Sequence, residues 1–127
     1  MIVADTSALL AVVLKEPMAD ACAAALSSAD SIVLSAGTAV EARVVAMMKD
    51  FASPLEALIA SLPITIVTVD ESMVDLAVSA NRRFGKGQHP AHLNYGDCFS
   101  YAAAKHFDCP LLFIGNDFGQ TDVRSAI

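Results

Sequence analysis

The segment Ile64-Thr65-Ile66-Val67-Thr68-Val69 decides the fold class, because its run of β-branched residues is the strongest strand signal in the chain. The segment Glu71 to Arg83 follows it, and its apolar residues recur at helical spacing. A strand therefore leads directly into a helix. The same order is repeated on both sides of this unit, which is typical of a parallel sheet whose strands are joined by helices.

Three further short apolar runs predict strands, at Met1 to Ala4, Ser31 to Leu34 and Leu111 to Ile114. The segments between the strands predict helices over Thr6 to Lys15, Met18 to Ser28, Thr38 to Lys49, from Ser53-Pro54 onward, and Tyr95 to Phe107. Glycine, proline and histidine predict a loop over 84–93. We therefore expect one α/β domain over residues 1–127, with a central parallel sheet of four to five strands covered by helices on both faces.

The composition excludes several classes of protein. The chain has 127 residues, of which 55% are hydrophobic, so it is not a disordered tail or linker. Its apolar window Ala57 to Val69 is interrupted by Pro63 and is too short to span a membrane. The first residues reach an acid at once and lack a basic region, so we expect no signal peptide and a cytoplasmic location. Three cysteines without a C-x-x-C pair predict buried thiols rather than disulfides.

Four acidic residues occupy positions that predict a shared site. Ligands of open parallel sheets bind beyond the carboxyl ends of the strands. Asp5 ends the first strand, and Asp117 follows the last one. Asp97 is in the first turn of its helix, and Glu41 lies beside an apolar helical stripe that we expect to face the protein. Four carboxylates at one crevice repel one another unless a cation lies among them, and oxygen donors suit Mg²⁺ or Mn²⁺.

Each acid also has a purely structural explanation. Asp5 could cap the helix that begins at Thr6, and Asp97 could form a capping box with Asn94. Asp117 suits an ordinary turn, and Glu41 could pair with an arginine. The metal-site hypothesis therefore depends on the four residues meeting in space.

Other kinds of site are disfavoured. A zinc site would use His89, His92, Cys98 and Cys109, but their spacing matches no usual zinc motif. The chain has neither of the glycine-rich phosphate-binding motifs, G-x-x-x-x-G-K-S/T and G-x-G-x-x-G after the first strand. It also has no G-x-S-x-G nucleophile motif.

The net charge of −6 argues against a nucleic-acid partner, which normally requires a basic surface. Five of the fourteen acids, the four above and Asp122, belong to the candidate site, and the remaining nine nearly balance eight basic residues. Arg82, Arg83 and Lys86 form a cluster with two explanations: a solvated helix end or a phosphate-binding edge. The charge therefore does not exclude nucleic acid.

Four motifs in order resemble those of PIN-domain ribonucleases, specifically the VapC-type toxins of bacterial toxin–antitoxin pairs. The resemblance runs nearly from end to end. The motifs are Asp5-Thr6-Ser7-Ala8, Ser35-Ala36-Gly37-Thr38-Ala39-Val40-Glu41, Leu93-Asn94-Tyr95-Gly96-Asp97-Cys98 after Phe84-Gly85-Lys86-Gly87-Gln88-His89-Pro90-Ala91, and Leu111-Leu112-Phe113-Ile114-Gly115-Asn116-Asp117-Phe118 with Thr121-Asp122.

This resemblance implies endonucleolytic cleavage of RNA that depends on Mg²⁺ or Mn²⁺. It assigns the acidic site to Asp5, Glu41, Asp97 and Asp117, with Asp122 as a further contributor. In this scheme Asp5, Asp97 and Asp117 hold metal, and Glu41 positions the attacking water or acts as a base. The supporting hydrogen bonds would come from Thr6 and Asn116.

The resemblance also implies three partners: RNA as substrate, a VapB-like antitoxin that blocks the site, and a second copy of the chain in a homodimer. Two other functions compete with the nuclease. One is a non-catalytic α/β domain that binds a metal or a basic peptide. The other is a metal-dependent phosphatase, although Asp5 is followed by Thr6-Ser7-Ala8 rather than by the D-x-D-x-T pattern usual for that chemistry.

Overall fold

A computed structural model describes all 127 residues and shows a four-stranded parallel sheet in the order β3-β2-β1-β4. The strands are β1 (Ile2–Ala4), β2 (Ile32–Ser35), β3 (Ile64–Val67) and β4 (Leu111–Leu112). In this register Val3 lies beside both Val33 and Leu111. The predicted parallel α/β fold is confirmed, and the number of strands lies within the predicted range.

Six α-helices and one 3₁₀ turn cover the two faces of the sheet. They are α1 (Thr6–Val13), α2 (Ala19–Ser28), α3 (Ala36–Met48), α4 (Ala52–Ser61), α5 (Glu71–Phe84), α6 (Tyr95–His106) and the turn Phe118–Gln120. Helix α3 begins two residues earlier than predicted, and β4 is two residues shorter than the apolar run that predicted it. None of the helices combines the length and apolarity that a membrane span needs.

Two hydrophobic cores lie on opposite faces of the sheet, because neighbouring strand residues point to opposite sides. Val3, Val33 and Leu111 pack against α5 and α6, whereas Ala4 and Leu112 pack with the residues of α1 to α4. The inner strands are therefore apolar on both faces, as the sequence indicated, except at the buried Ser35 that ends β2. All three cysteines are buried and free, as predicted.

The segment with the strongest strand signal forms an edge of the sheet. Thr65 and Ile66 in β3 are exposed, since β2 is the only strand that pairs with β3. The signal came from β-branched residues, which favour extended backbone whether or not it is buried. The other edge is covered, because the amide of Leu111 donates to Arg124 O and the amide of Ala126 donates to Leu111 O.

The apolar stripe of α3, which consists of Val40, Val44 and Met48, faces solvent, so the prediction that it faces the protein is wrong. Val40 is 63% exposed and Met48 is 76% exposed. The buried face of α3 consists instead of small residues: Thr38, Ala39, Ala42 and Ala46. Small side chains let the helix approach the sheet closely, and this close packing outweighs the greater hydrophobicity of valine and methionine. Glu41, which is three residues from Thr38, is half-buried.

Candidate active site

Four carboxylates from separate parts of the chain meet in one cavity beyond the carboxyl ends of the strands. The cavity has a volume of about 270 Å³. Its lining includes all four predicted acids, namely Asp5, Glu41, Asp97 and Asp117, together with Thr6, Ser7, Val45, Asn94, Ile114 and Phe118. The topology explains this convergence, since parallel strands end at the same edge of the sheet.

Asp5 is the most firmly held of the four carboxylates. It follows β1, is only 3% exposed and caps α1. Its Oδ2 accepts hydrogen bonds from the amide (3.0 Å) and hydroxyl (2.7 Å) of Ser7, and its Oδ1 accepts one from Ser100 Oγ at 2.6 Å. The Ser7 hydroxyl in turn accepts from the amide of Ile114 at 3.0 Å. The structural explanation of Asp5 as a helix cap is therefore compatible with a role in the site.

Glu41 reaches the cavity from α3. Its Oε1 accepts a hydrogen bond of 2.6 Å from Thr6 Oγ1. Its carboxylate also lies against the backbone of Gly96, where any β-carbon would overlap Glu41 Oε2. The contact with Gly96 brings Glu41 close to the first turn of α6. Glu41 is not part of the ion pair on α3, which Arg43 forms with Glu56.

Asp97 is the carboxylate of the cavity whose pKa is clearly shifted. It forms a capping box with Asn94 at the start of α6 and is 9% exposed. Burial raises the pKa of Asp97 to about 7, with further increases from the charges of Asp5, Asp117 and Glu41, although the Asn94 amide opposes the shift. The metal-free cavity thus carries more negative charge than it can readily accommodate near neutral pH.

The stability of the metal-free protein should depend on pH through Asp97. The folded state binds its proton up to a pKa of about 7, whereas an unfolded aspartate loses it near 3.8. The free energy of unfolding should therefore fall by at least about 1 kcal/mol between pH 4 and pH 7 because of this group. Urea unfolding with a chelator, compared between wild type and Asp97→Asn, measures this contribution. Equal pH slopes for the two proteins would contradict it.

The remaining predicted residues occupy different places. Asp117 is exposed at the rim and follows Gly115, which adopts φ +101°. Thr6 lines the cavity and donates its hydroxyl hydrogen bond to Glu41, as described above. Asn116 is exposed and does not line the cavity.

Asp122 lies outside the cavity, in a surface network with basic residues. Its carboxylate accepts from Tyr101 Oη at 2.8 Å and from Lys105 Nζ at 3.1 Å, and it lies 3.5 Å from Arg83. Partial burial acts to raise the pKa of Asp122, but the hydrogen bonds from Tyr101 and Lys105 outweigh it and lower the pKa. Burial and the bond to Asp122 raise the pKa of Tyr101 to about 12.

Replacing Asp122 with alanine should therefore affect stability rather than catalysis. Loss of its partly exposed bonds should lower the free energy of unfolding by about 1 kcal/mol. If the site cleaves RNA, as the resemblance implies, cleavage at a temperature where the variant is folded should stay within about twofold of wild type. A much larger loss of activity would instead place Asp122 in the catalytic machinery.

Of the three residues in the basic cluster, only Arg83 takes part in the Asp122 network. Arg83 is held by Asp122 and Tyr101, and its guanidinium lies 4.7 Å from the centre of the Phe84 ring. Arg82 and Lys86 are exposed and form no ion pair. The hydrogen bond from the Lys86 amide to Leu93 O brings the start of this loop to the residue that precedes Asn94.

The donor set of the cavity fits a hard divalent cation. No three Asp, Glu, His or Cys side chains are already arranged as a metal cluster. Mg²⁺ binds through one or two carboxylates and keeps several waters, so it does not need three preassembled ligands. The cavity groups four carboxylates, and the pKa of Asp97 is raised; a divalent cation would compensate this negative charge.

Sequence analysis assigned no role to three residues that contact the carboxylates of the site: Ser7, Ser100 and Gly96. Ser100 lies three residues after Asp97, so the helical period alone would have placed it on the same face. Gly96 carries no sequence signal, because its importance comes from the contact with Glu41 on another helix.

Comparisons with known proteins identify the family of the chain. The family model of the PIN domain matches residues 2–124. The chain is 40% identical to "Ribonuclease VapC" of Mycolicibacterium smegmatis over an alignment of 128 residues that covers 98% of each chain. It is 41% identical to "Ribonuclease VapC28" of Mycobacterium tuberculosis H37Rv over 129 residues, covering 98% of this chain and 97% of the relative.

Two solved structures share the fold at low sequence identity. The crystal structure of Mycobacterium tuberculosis VapC20, described as a sarcin-ricin loop cleaving toxin, has a TM-score of 0.77 at 15% identity and covers 97% of this chain and 96% of its own. A toxin–antitoxin complex from Klebsiella pneumoniae has a TM-score of 0.70 at 16% identity, covering 96% and 93%. The sequence comparisons extend over almost the whole chain, and the chain belongs to the PIN-domain family, in its VapC branch.

Proposed function

We propose that the protein is a Mg²⁺- or Mn²⁺-dependent endoribonuclease and the toxin of a toxin–antitoxin pair. The observation that carries the proposal is the meeting of four carboxylates from four parts of the chain in one cavity. Family membership supports the choice of chemistry, since the relatives at about 40% identity are named as ribonucleases. Hydrolysis of a phosphodiester is a reaction that an acidic, cation-binding cavity can promote.

The residues divide into two roles. Asp5 and Asp97 would hold the cation, and Asp117 at the rim would hold a second ion or share the first. A bound divalent cation supplies Lewis acidity, which lowers the pKa of an attacking water and stabilises charge on the leaving oxygen. Glu41 would orient that water or accept its proton, because the bond from Thr6 fixes Oε1, whereas Oε2 accepts no hydrogen bond from the protein.

The RNA backbone would contact the end of α5 and the loop after it. Arg82 and Lys86 are exposed cations with no acidic partner, so they can bind phosphate without first breaking an ion pair. The loop returns to Asn94 at the cavity. Arg83 is less suited to this role, because Asp122 and Tyr101 already hold it.

Exposed apolar side chains support the proposed homodimer. Val40, Val44, Met47 and Met48 project from α3, which packs against the open edge strand β3 with its exposed Ile66. Large apolar side chains exposed on a helix next to an unpaired strand edge are typical of a surface that a partner covers. A VapB-like antitoxin is the second protein partner in this proposal, in keeping with the fold shared with the Klebsiella toxin–antitoxin complex.

A charge in this surface should separate the two chains of the dimer. We expect Val44→Glu to be monomeric at concentrations where wild type is dimeric, because an uncompensated carboxylate in an apolar interface is costly. Light scattering after gel filtration measures the mass. Ala24→Glu, on the exposed side of α2, is the matched control and should leave the mass unchanged. A dimeric Val44→Glu variant would exclude this interface.

The experiment that tests the function is cleavage of an end-labelled structured RNA by the purified chain. We expect cleavage with Mg²⁺ or Mn²⁺ and none with a chelator. Calorimetry with Mn²⁺ distinguishes the alternative of a non-catalytic metal-binding domain: binding without cleavage of any RNA in a transcript mixture would favour that alternative. Turnover of a chromogenic phosphate monoester without RNA cleavage would favour the phosphatase.

A further inference from the structure

A line of buried hydrogen bonds runs from α3 through α6 to Asp5. Thr38 Oγ1 and Ser100 Oγ are 3.0 Å apart, and Ser100 Oγ is 2.6 Å from Asp5 Oδ1. Thr38 and Ser100 are fully buried, and Asp5 is 3% exposed. Sixty-two residues separate Thr38 from Ser100, and ninety-five separate Ser100 from Asp5. Polar groups buried so completely destabilise the folded protein unless each one forms a hydrogen bond.

The direction of these bonds follows from the number of protons available. An ionised carboxylate can only accept, so the single proton of the Ser100 hydroxyl is donated to Asp5. Ser100 can therefore only accept from Thr38, whose hydroxyl must be the donor. The order is Thr38 to Ser100 to Asp5, and each bond polarises the next. With the two bonds from Ser7 to the other oxygen, both oxygens of Asp5 are held.

The helical period connects this line to two other carboxylates. Thr38 lies three residues before Glu41 on α3, and Ser100 lies three residues after Asp97 on α6. Residues at this spacing share a helix face. Each helix thus presents one carboxylate to the cavity and one hydroxyl to the interior, and the two hydroxyls bond to each other. The positions of Asp5, Glu41 and Asp97 relative to one another therefore depend on the buried hydrogen bond between Thr38 and Ser100.

We propose that Ser100, supported by Thr38, is a positioning residue that holds the Asp5 carboxylate in place for the divalent cation. This inference rests on the proposed function. Hydrogen bonds to the far side of a metal-binding group fix its orientation, and their loss typically lowers metal affinity or activity by about 10–100-fold. Ser100 does not line the cavity, so it acts only through Asp5.

The test measures Mn²⁺ affinity by calorimetry and stability by urea unfolding for Ser100→Ala, Thr38→Val and the double variant. Ser100→Ala leaves the Thr38 hydroxyl buried without its partner, so it should lose both stability and Mn²⁺ affinity. The double variant removes both hydroxyls, so it should recover much of that stability. Its Mn²⁺ affinity should remain about 10–100-fold below wild type. Ser61→Ala, at an exposed helix end, is the control.

A purely structural role predicts a different result. If the double variant binds Mn²⁺ as tightly as wild type, the proposal is overturned while the nuclease function stands. If wild type binds no Mn²⁺, the proposal and the metal-dependent function both fail. RNA cleavage gives a second readout: kcat should fall in the double variant and KM should stay unchanged, since no RNA contact is removed.

Discussion

Asp97→Asn is expected to reduce metal-dependent RNA cleavage by at least about 1000-fold, because divalent-cation catalysis supplies several kcal/mol of transition-state stabilisation. The substitution keeps the shape of the side chain and its capacity to bond the Asn94 amide, so α6 should still begin at the same residue. It removes one charge from a group whose pKa is raised by burial and, to a smaller extent, by the neighbouring carboxylates. The metal-free variant should therefore be at least as stable as wild type at pH 8.

A control variant and a binding measurement distinguish the loss of catalysis in Asp97→Asn from unfolding and from contamination by a foreign nuclease. Asp30→Asn changes an exposed acid between α2 and β2 and should leave cleavage unchanged. Both variants need the same purification, because traces of a foreign nuclease would cleave RNA in either sample. Calorimetry should show weaker Mn²⁺ binding for Asp97→Asn only. Full cleavage by this variant, with Mg²⁺ dependence retained, would remove Asp97 from the proposed mechanism.

Gly96→Ala should lower the cleavage rate by about 10–100-fold although it adds a single methyl group. The new β-carbon would overlap the Glu41 carboxylate, which lies at the flexible end of its side chain. We expect Glu41 to swing away and lose its bond to Thr6, because moving a side chain costs less than separating α3 from α6. A displacement of about 1 Å at a reacting group is enough to cost about 100-fold in rate.

Stability distinguishes this result from a folding defect. Alanine has the higher helix propensity, by about 1 kcal/mol, which offsets part of the cost of moving Glu41. The free energy of unfolding should therefore change by less than about 1 kcal/mol. Gly119→Ala is the control, since no atom lies within 4 Å of its added methyl group. Wild-type activity in Gly96→Ala would show that Glu41 need not occupy its present position.

The order of elements could be predicted because local signals agree with the final structure. Apolar runs and helical periods were sufficient for the parallel sheet, and the sheet then accounts for the meeting of Asp5 with Asp117. The orientation of α3 could not be predicted, because the periodicity of valine and methionine is the same for a buried and an exposed stripe. Only the packing of alanines against the sheet decides between them.

The hydrogen bonds of Asp122 could not be predicted from the neighbouring sequence either. The residue is close to Asp117 in sequence, and its motif placed it with the acids. Its partners Tyr101 and Lys105 come from α6, and Arg83 comes from α5, so its bonds depend entirely on how these helices pack. The hydroxyl of Ser100 was missed for the same reason, since its partners are far away in the chain.

The bond between the amide of Ile114 and the hydroxyl of Ser7 has a consequence for synthesis on the ribosome. It joins residues 107 positions apart, close to the two ends of the chain. A nascent polypeptide can form α1 early, yet this part of the centre stays incomplete until its final strand has emerged. However early α1 folds, the finished centre therefore cannot form before the residues up to Ile114 have been synthesised.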